Sequence, residues 1–471
     1  MKGDFTRIAL KKNLKKHNFS GVLHQQGKVL LDRDWNEQRD IIVNWQDQSA
    51  KDIFGPGVAA IPTKEYENFQ IRSINPPTQN TIGFTITPGR IWADGHLIYL
   101  EAEDENVNEL TLSATPLYGH PSSTANTSRI AILLEVWREV ISGFQIPDLL
   151  LEPALGGIDT TERLHTAFAF RYYPLTSTDK SCRNVREIIK GILATEQGTL
   201  TVDFEPTEAP NDECPMEAWS GYIGLEHRLY RVEVARTTNN SGDEEFPPVR
   251  FKWSRYNGGL VGRGKFLQDE KKVKITSNLK AILGSKSTEF YMEIVQYNSN
   301  FGFWEPTFGA TVVLTDDNTL SFAAGQTFLN LNRDRDNVFF RLWDGIEQIS
   351  DYEGDEPNYL EAGIRLKFDR TKGNFRPGDY WVFPVRAMMK EKNSEDVFDP
   401  EAVLPNNKVP DGIKYSLVPL AIIYSEDGTF EKDIKIIDCR IRIRLGNQNI
   451  CWSFLVGDDG DGTILDAIDA L

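Results

Sequence analysis

The run IAILLEVW at residues 130–137 contains seven apolar residues and a single glutamate. Its length and its branched and aromatic side chains favour a buried strand over a helix. Runs of this type alternate with turn-forming residues along the chain: TIGFTIT (81–87), YRVEVA (230–235), RFKW (250–253), FYMEIVQ (290–296), VFFRLW (338–343), GIRLKF (363–368), DYWVFPV (379–385) and LVPLAIIY (417–424). The pattern predicts a mainly β, multi-domain protein with few helices.

One helix is predicted near the N-terminus. Asp34 is its expected N-cap, and Glu37 follows three residues later as in a capping box. Apolar residues then recur at helical spacing until a Gly-Pro-Gly triplet at residues 55–57 stops the helix. Residues 19–31, ahead of the helix, are expected to be extended with a turn. Residues 1–56 therefore predict an extended N-terminal arm followed by one amphipathic helix.

Beyond the arm we expect two β-rich domains. The first covers residues 57–260 and the second covers residues 261–450, with a smaller β module inserted near residues 260–337. Residues 451–471 form a C-terminal tail. No internal repeat of fixed period is present, which disfavours a solenoid or a propeller.

The charge balance excludes some classes of protein. The 471 residues contain 52 Lys+Arg and 69 Asp+Glu, a formal net charge of −17. A protein that binds a phosphate backbone needs an excess of basic residues, so a nucleic-acid partner is disfavoured. No apolar run reaches the length of a membrane span, and the basic start of the chain lacks the apolar core of a signal peptide. We therefore expect a protein that is made and kept in a cytoplasm, or that is exported by an unusual route.

The cysteines give no disulfide pattern. There are four: Cys182, Cys214, Cys439 and Cys451. This number is too small for a disulfide-stabilised scaffold in a chain of this length, and no CxxC motif indicates a zinc or redox site. We expect reduced cysteines in packed or surface positions.

No motif in the sequence carries catalysis, a cofactor or a metal ion. The six histidines include no pair at i, i+4, and there is no GxSxG elbow and no GxGxxG opening a helix. The near P-loop at residues 259–265 is followed by Phe266 where a magnesium-binding hydroxyl is needed. The sequence therefore predicts no enzymatic activity, no cofactor and no metal site.

Three charged clusters each have a chemical and a structural interpretation. Asp32, Asp34 and Glu37 can act in acid–base chemistry or stabilise a helix start. The acidic run at residues 458–462 can bind calcium, but it lacks the EF-hand pattern and suits a solvated turn. The basic run at residues 11–17 can dock on an acidic surface or remain solvated. In each case we favour the structural interpretation.

Ordered motifs carry a resemblance to a known family. They are MKGDFTR (1–7), GVLHQQGKVLLDRDWNEQ (21–38), ITPGRIWADG (86–95), LLEVWREV (133–140), ALGGIDTTER (154–163), GYIGLEHRLYRVEV (221–234), FKWSRYNGG (251–259), PGDYWVFPVR (377–386), VPLAIIY (418–424) and DCRIRIRL (438–445). In this order they resemble a bacterial domain family of unassigned function, over nearly the whole chain. Members of that family often precede a parallel β-helix, and some are associated with phage-tail-like contractile injection systems. Residues 456–471 are similar to the opening cap of that β-helix.

The resemblance implies a structural subunit of a phage-tail-like contractile particle, at the baseplate or as a shell or accessory protein around it. The implied partners are baseplate, sheath or tube proteins and copies of the chain itself in a symmetric ring or shell. The implied location is the bacterial cytoplasm during assembly and then a released or membrane-anchored particle. The side chains expected to make these contacts are Phe19, Leu23, Trp35, Ile42, Trp45 and Phe54.

An alternative function is binding or cleavage of carbohydrate at a surface. Aromatic rings in β loops can stack on the apolar faces of sugars, and the β-helix association points the same way. The candidate rings are Trp219, Tyr222, Trp253 and Tyr256, which lie near glycine-containing turns. Large aromatic residues are more often buried in a core or an interface, so both interpretations remain open.

Overall fold

The computed structural model describes most of the chain between residues 18 and 443. The described residues are 18–75, 81–102, 104, 106–117, 128–157, 159–176, 178–179, 181–194, 197–205, 221–224, 226–239, 244–267, 271–276, 289–299, 302–315, 318–331, 336–386, 404–425, 430 and 434–443. The predicted C-terminal tail, the basic run at residues 11–17 and the acidic run at residues 458–462 lie outside them.

Strands dominate the fold, so the predicted mainly β class with few helices is confirmed. The described helices are α1 (Asp32–Phe54), α2 (Pro147–Leu150) and α3 (Cys182–Leu193). The strands are β1 (Ala59–Pro62), β2 (Ile71–Ile74), β3 (Ile82–Ile86), β4 (Gly89–Ala93), β5 (His96–Leu100), β6 (Leu110–Pro116), β7 (Arg129–Ile141), β8 (Arg163–Leu175), β9 (Thr199–Phe204), β10 (Arg228–Val234), β11 (Arg250–Ser254), β12 (Leu260–Phe266), β13 (Lys272–Ile275), β14 (Glu289–Asn298), β15 (Phe303–Leu314), β16 (Thr319–Asn330), β17 (Val338–Trp343), β18 (Gly345–Gln348), β19 (Asn358–Glu361), β20 (Ile364–Asp369), β21 (Tyr380–Val385), β22 (Ser416–Ser425), β23 (Ile434–Asp438) and β24 (Ile441–Ile443).

Helix α1 ends where the sequence predicts but begins earlier. Gly55 follows its last residue with φ of 92° and donates its N–H to the carbonyl of Lys51, which confirms the predicted stop. The N-cap, however, is Leu31 and has no side-chain cap, so the predicted capping by Asp34 is wrong. Asp34 lies instead inside the first turn, where its charge complements the helix dipole.

The first β unit consists of strands β1–β8 and β22–β24. A seven-stranded sheet has the order β2-β3-β6-β8-β7-β22-β23, and a four-stranded sheet has the order β24-β1-β4-β5. The long antiparallel pair β7 and β8 forms the centre of the larger sheet. Ile91 and Ile98 of the smaller sheet share one apolar core with Ile132 and Phe170 of the larger one. The two sheets therefore form a single packed unit.

The second β unit consists of strands β9–β11 and β18–β21. Its sheets have the orders β18-β11-β10-β21 and β19-β20-β9. Phe251, Phe368 and Trp381 are fully buried between them. Their rings meet edge-on or tilted, which is a favourable geometry for aromatic pairs.

Strands β12–β17 close into a six-stranded barrel with the order β12-β13-β16-β15-β14-β17. Its interior is filled by apolar side chains that include Met292, Val312 and Phe340. A barrel of this size has an interior that its own side chains fill.

The units are nested in the chain. Strands of the first β unit come from residues 59–175 and 416–443, and strands of the second come from residues 199–254 and 345–385. The barrel occupies residues 260–343, between the two parts of the second unit. The strands are thus grouped differently from the predicted division at residue 260, because the chain returns to the first β unit after completing the other two.

A buried charge cluster fastens the barrel to the second β unit. We call it the barrel joint, and it comprises Lys252, Glu233, Glu293 and Trp343. The Lys252 Nζ lies 2.6 Å from Glu293 Oε2 and 3.1 Å from Glu233 Oε1. The indole N–H of Trp343 donates to Glu293 Oε2 at 2.9 Å. Burial opposes ionisation of Glu233, but the positive charges of Arg231 and Lys252 hold its pKa at about 2.

Cys182 and Cys439 form a disulfide, so the expectation of reduced cysteines is wrong for this pair. The bond joins the first residue of α3 to the residue after β23, across a sequence separation of 257. It fastens two distant parts of the first β unit and closes a loop that contains the second unit and the barrel. No local pattern indicates this pairing, because only the return of the chain to the first β unit brings the two residues together.

Candidate interaction surface

Charged residues in the C-terminal half of α1 hold this helix on the first β unit. Both carboxylate oxygens of Asp47 accept from Arg138 on β7, at 2.6 and 2.7 Å. One turn later, Lys51 Nζ lies 2.8 Å from Asp94 Oδ2, in the turn between β4 and β5. We call these two ion pairs the helix joint. Charged side chains of α1 therefore contribute to its contact with the sheets.

The turn at Asp94 and Gly95 is shaped to receive the helix. Both residues have positive φ, which suits a two-residue turn between antiparallel strands. A Cβ on Gly95 would lie 2.8 Å from the Asp47 carbonyl oxygen, so the close approach of α1 requires glycine here. Asp94 also accepts from the Gly57 N–H at 3.0 Å and the Ser416 hydroxyl at 2.6 Å.

Electrostatics at this joint favour ionised Asp94 and neutral His96. Burial opposes ionisation of Asp94, but hydrogen bonds from Lys51, Ser416 and Gly57 outweigh it and hold the pKa of Asp94 below its usual value. For His96, burial and then the positive charge of Arg138 lower the pKa. His96 Nδ1 lies 3.8 Å from Asp47 Oδ1, which is beyond hydrogen-bond distance.

The described part of the arm, residues 18–31, folds back on the N-terminal half of α1. The Val22 N–H donates to Gln38 Oε1 at 2.7 Å, and the His24 ring lies 5.5 Å from the ring of Trp35. The arm nevertheless leaves much apolar surface open, since Leu23 is 93% exposed. Phe19, Val29 and Leu30 are also largely exposed.

One side of α1 presents apolar residues to solvent. Trp35 and Trp45 are 62% and 68% exposed, and Ile42 and Ile53 are largely exposed as well. Their spacings of 7, 3 and 8 residues place them within an arc of about 80° around the helix axis. Ile41 and Ala50 are buried and Asp47 and Lys51 pair with the sheets, so α1 presents large apolar side chains to solvent in addition to its buried apolar residues. An exposed apolar patch of this kind typically marks an interaction site.

A groove runs between α1 and strands β4, β5, β7 and β8. It has a volume of about 470 Å³. It is lined by Trp45, Gln46, Asp47, Ser49, Ala50, Ile53 and Phe54 of α1 and by Trp92, Gly95, Leu97, Arg138 and Thr166 of the sheets. The apolar side of α1 therefore continues into a concave site of the size that binds a large side chain.

Most of the predicted interaction residues are exposed on this surface. Trp35, Ile42 and Trp45 lie on the apolar side of α1, and Phe19 and Leu23 lie on the arm. Phe54 differs, because its ring is half-buried and lies 5.4 Å from the ring of Trp92. Its neighbour Ile53 is the exposed one. The sequence also missed Trp92, Leu97 and Thr166, which reach the groove only through tertiary contacts.

The alternative sugar-stacking residues lie in a different environment. Trp219 is outside the described residues. Tyr222 and Trp253 are buried in the core of the second β unit, where the Trp253 ring stacks on Tyr230 at 6.4 Å. Tyr256 is half-buried with the Arg228 guanidinium 4.7 Å from its ring centre. Tyr222 and Trp253 thus pack as core residues and present no open ring face.

No group of three or more His, Cys, Asp or Glu side chains in the part of the chain that the structure describes is arranged to hold a metal ion. No helix in the same part is both long enough and apolar enough to cross a membrane.

Comparison with known proteins gives one match. Residues 1–191 match the model of a family described as a family of unknown function (DUF6519). The matched part includes the arm, α1, strands β1–β8 and most of α3. This fits the predicted resemblance to an uncharacterised domain family. No curated protein and no solved structure matches the chain.

Proposed function

We propose that this protein is a structural subunit of a phage-tail-like contractile injection particle and works through contacts with other proteins. The observation that carries the proposal is the exposure of four large apolar side chains on helix α1, namely Trp35, Ile42, Trp45 and Ile53. Each large apolar side chain contributes about 1–3 kcal/mol when it becomes fully buried in an interface. Such a helix is best explained by a partner that covers it.

The assignment to a contractile particle rests on the ordered motifs and their resemblance to a family found in such gene clusters. The expected partners are baseplate, sheath or tube proteins and further copies of this chain. Closed rotational symmetry would repeat each contact around the particle and multiply its effect. We place the protein at the baseplate or in a shell or accessory layer around it.

The disulfide supports a working location outside the reducing cytoplasm. Disulfides persist in oxidising surroundings and are rare in cytosolic proteins of most organisms. The protein would assemble in a bacterial cytoplasm and then become part of a released or membrane-anchored particle. The bond between Cys182 and Cys439 would then form after the protein leaves the cytoplasm.

The proposal is tested by Trp45→Glu in the full-length chain. The change places a charge on the apolar side of α1, at a position 68% exposed, so the fold should be retained. Particles are purified from source cells that carry a tagged version of the protein. We expect wild-type protein to co-purify with sheath and tube proteins, and the variant to do so at least tenfold less.

Leu155→Glu is the matched control, because Leu155 is similarly exposed but lies on a short turn after α2. It should co-purify like wild type. The proposal is overturned if tagged wild-type protein brings down no sheath or tube protein, or if Trp45→Glu is incorporated normally.

A further inference from the structure

We propose that Asp379 forms a proton-controlled latch between the second β unit and the segment that carries the chain back to the first. The latch consists of the turn at residues 376–379 and the returning segment at residues 411–415, which leads into β22. It is closed while the Asp379 carboxyl holds a proton, and it loosens when that proton is lost. The latch is a property of the single chain and does not depend on the proposed function.

The turn at residues 376–379 fixes the Asp379 carboxyl in place. The Asp379 N–H donates to the Arg376 carbonyl at 3.0 Å, and the Arg376 N–H donates to Asp379 Oδ2 at 2.8 Å. The turn is also tied to β10, because the Gly378 N–H donates to the Val234 carbonyl at 2.9 Å. The Val234 N–H in turn donates to the Asp379 carbonyl at 2.8 Å. The carboxyl therefore reaches water only if the turn opens.

The surroundings of this carboxyl suit its neutral form. Asp379 is only 1% exposed. No donor among the described residues lies within hydrogen-bond distance of its Oδ1 atom. A buried carboxylate oxygen without a partner costs more free energy when the group is charged than when it is neutral. The geometry of the turn thus favours a protonated Asp379 in the folded chain.

Neighbouring charges place the loss of this proton close to neutral pH. Burial raises the pKa of Asp379 from its ordinary value of 3.8 to about 7, although the N–H and the guanidinium of Arg376 oppose the rise. The negative charge of Glu233 on β10 adds to the rise. Glu233 itself is ionised, since its own pKa is about 2. A change of pH around 7 therefore changes the charge of Asp379.

The turn packs directly against the returning segment. A Cβ on Gly378 would lie 3.1 Å from the Ile413 side chain, so little space separates the two. The Asp411 N–H donates to the Tyr380 carbonyl at 2.8 Å, and the Tyr380 N–H donates to the Gly412 carbonyl at 2.9 Å. Backbone hydrogen bonds therefore hold the returning segment to the first residue of β21, immediately beside Asp379.

Tyr415 extends this contact to the first β unit and the barrel. The Arg376 guanidinium lies 5.7 Å from the centre of the Tyr415 ring, and the Trp137 ring of β7 lies 5.5 Å from it. Trp137 meets Phe303 of the barrel edge-on at 5.0 Å. A short chain of ring contacts thus links the Asp379 turn to both other units.

Loss of the proton places an additional negative charge at this contact. Burial, followed by the negative charges of Glu135 and Asp379, raises the pKa of Tyr415, so its hydroxyl stays neutral. The Glu135 charge is balanced by Arg171, whose Nε lies 2.7 Å from its Oε2. Ionised Asp379 has the Glu233 charge on the side of β10 and the neutral hydroxyl on the other. We therefore expect ionisation to loosen the turn and the returning segment together.

Hydrogen exchange tests the latch in the full-length chain. Wild type and Asp379→Asn are compared by mass spectrometry at pH 6 and at pH 8, over peptides that cover residues 411–415. Asparagine does not ionise, and its side-chain oxygen can still accept from the Arg376 N–H. We expect similar protection of both proteins at pH 6 and at least tenfold weaker protection of wild type at pH 8. The two chains are identical within these peptides, so the intrinsic exchange rate cancels at each pH.

Asp369→Asn is the matched control. The Asp369 carboxylate also accepts a backbone N–H in a turn, from Thr371 at 2.8 Å, but the residue is partly exposed and this hydrogen bond lowers its pKa. The control should exchange like wild type at both pH values. Equal protection of wild type and Asp379→Asn at pH 8 would overturn the proposal.

Arg376→Gln keeps Asp379 and therefore tests the latch even if Asp379→Asn does not fold. The change removes a positive charge that favours ionisation of Asp379. The pH at which residues 411–415 lose half of their protection should therefore be higher than in wild type. An unchanged or lower midpoint, or a wild type with no such midpoint between pH 6 and pH 8, would contradict control by Asp379.

Urea unfolding tests the linked change in stability. Between pH 3.8 and about 7 the folded protein holds a proton on Asp379 that the unfolded chain has lost. The stability that this proton provides is complete below pH 3.8 and is lost as the pH rises through 7. From pH 5.5 to pH 8.5 the folding equilibrium constant of wild type should fall about thirtyfold relative to that of Asp379→Asn. A ratio of the two constants that stays the same over this range would overturn the proposal.

Discussion

The barrel joint and the helix joint fasten parts of the molecule with similar chemistry but opposite exposure. At the barrel joint, Lys252 and Glu293 have side chains only 4% and 2% exposed. At the helix joint, Asp47 and Arg138 remain partly open to water. The first joint is enclosed by the protein, whereas Trp45 and Ile53 are exposed on the far side of the helix at the second joint.

The difference indicates which contact is complete within one chain. Buried charges at the barrel joint satisfy one another, and the indole N–H of Trp343 adds a further hydrogen bond to Glu293. The barrel joint therefore needs no further contact from another chain. The helix joint fixes the position of α1 but leaves Trp35, Ile42, Trp45 and Ile53 largely exposed, although the arm contacts Gln38 and Trp35. We infer that the barrel joint belongs to the fold and that the helix joint positions a surface for another chain.

The largest expected effect comes from breaking the barrel joint with Glu293→Ala. The change leaves the Lys252 ammonium and the Trp343 indole N–H buried with fewer partners. Loss of one member of a buried ion pair typically costs about 3–5 kcal/mol. We expect a loss of this size in the free energy of unfolding, measured by urea titration.

Asp47→Ala is the matched comparison, because it removes an ion pair from the helix joint. Partly exposed pairs contribute about 0–1 kcal/mol, so its effect on global unfolding should be several times smaller. Equal losses from the two variants would contradict the distinction between the joints.

An intermediate effect is expected from removal of the disulfide in Cys182→Ser/Cys439→Ser. The bond closes a loop of 257 residues, and native disulfides typically contribute about 2–4 kcal/mol. The unfolding midpoint in urea should fall accordingly. Wild type should lose the same stability in dithiothreitol, whereas the variant should not respond to the reductant. A wild-type midpoint that is insensitive to dithiothreitol would contradict this assignment.

The smallest effect is a pH dependence at the helix joint. Burial and Arg138 lower the pKa of His96 in the folded protein from its ordinary value of 6.5. Below pH 6.5 the unfolded chain therefore binds a proton that the folded protein resists, and stability falls as the pH decreases. Above pH 6.5 His96 is neutral in both states and contributes no pH dependence.

Thermal melting of wild type and His96→Gln between pH 8 and pH 5.5 checks this expectation. The difference in melting temperature between the two proteins should shift in favour of the variant as the pH falls below 6.5. Other groups titrate equally in both proteins and cancel in the comparison. Parallel curves over the whole range would show that His96 does not sense pH.

The sequence by itself determined the local structure of this protein. Alternation of β-branched runs with turn residues predicted the strands, because side-chain shape and period act over a few neighbouring residues. The glycine that follows Phe54 fixed the end of α1, since only glycine readily adopts its positive φ. Apolar residues along the arm and helix also identified most of the exposed contact surface, although their period did not show which side faces solvent.

Tertiary structure alone decided how these pieces are joined. The sequence predicted neither the return of residues 416–443 to the first β unit nor the bond between Cys182 and Cys439, because pairing across hundreds of residues leaves no local pattern. The groove depends on Trp92 and Leu97 lying beside α1, which follows from the packing of the β4–β5 turn against Asp47 and Lys51. Ion pairs with Arg138 and Asp94 hold Asp47 and Lys51 of the helix against the sheets, and they too are formed only in the folded chain.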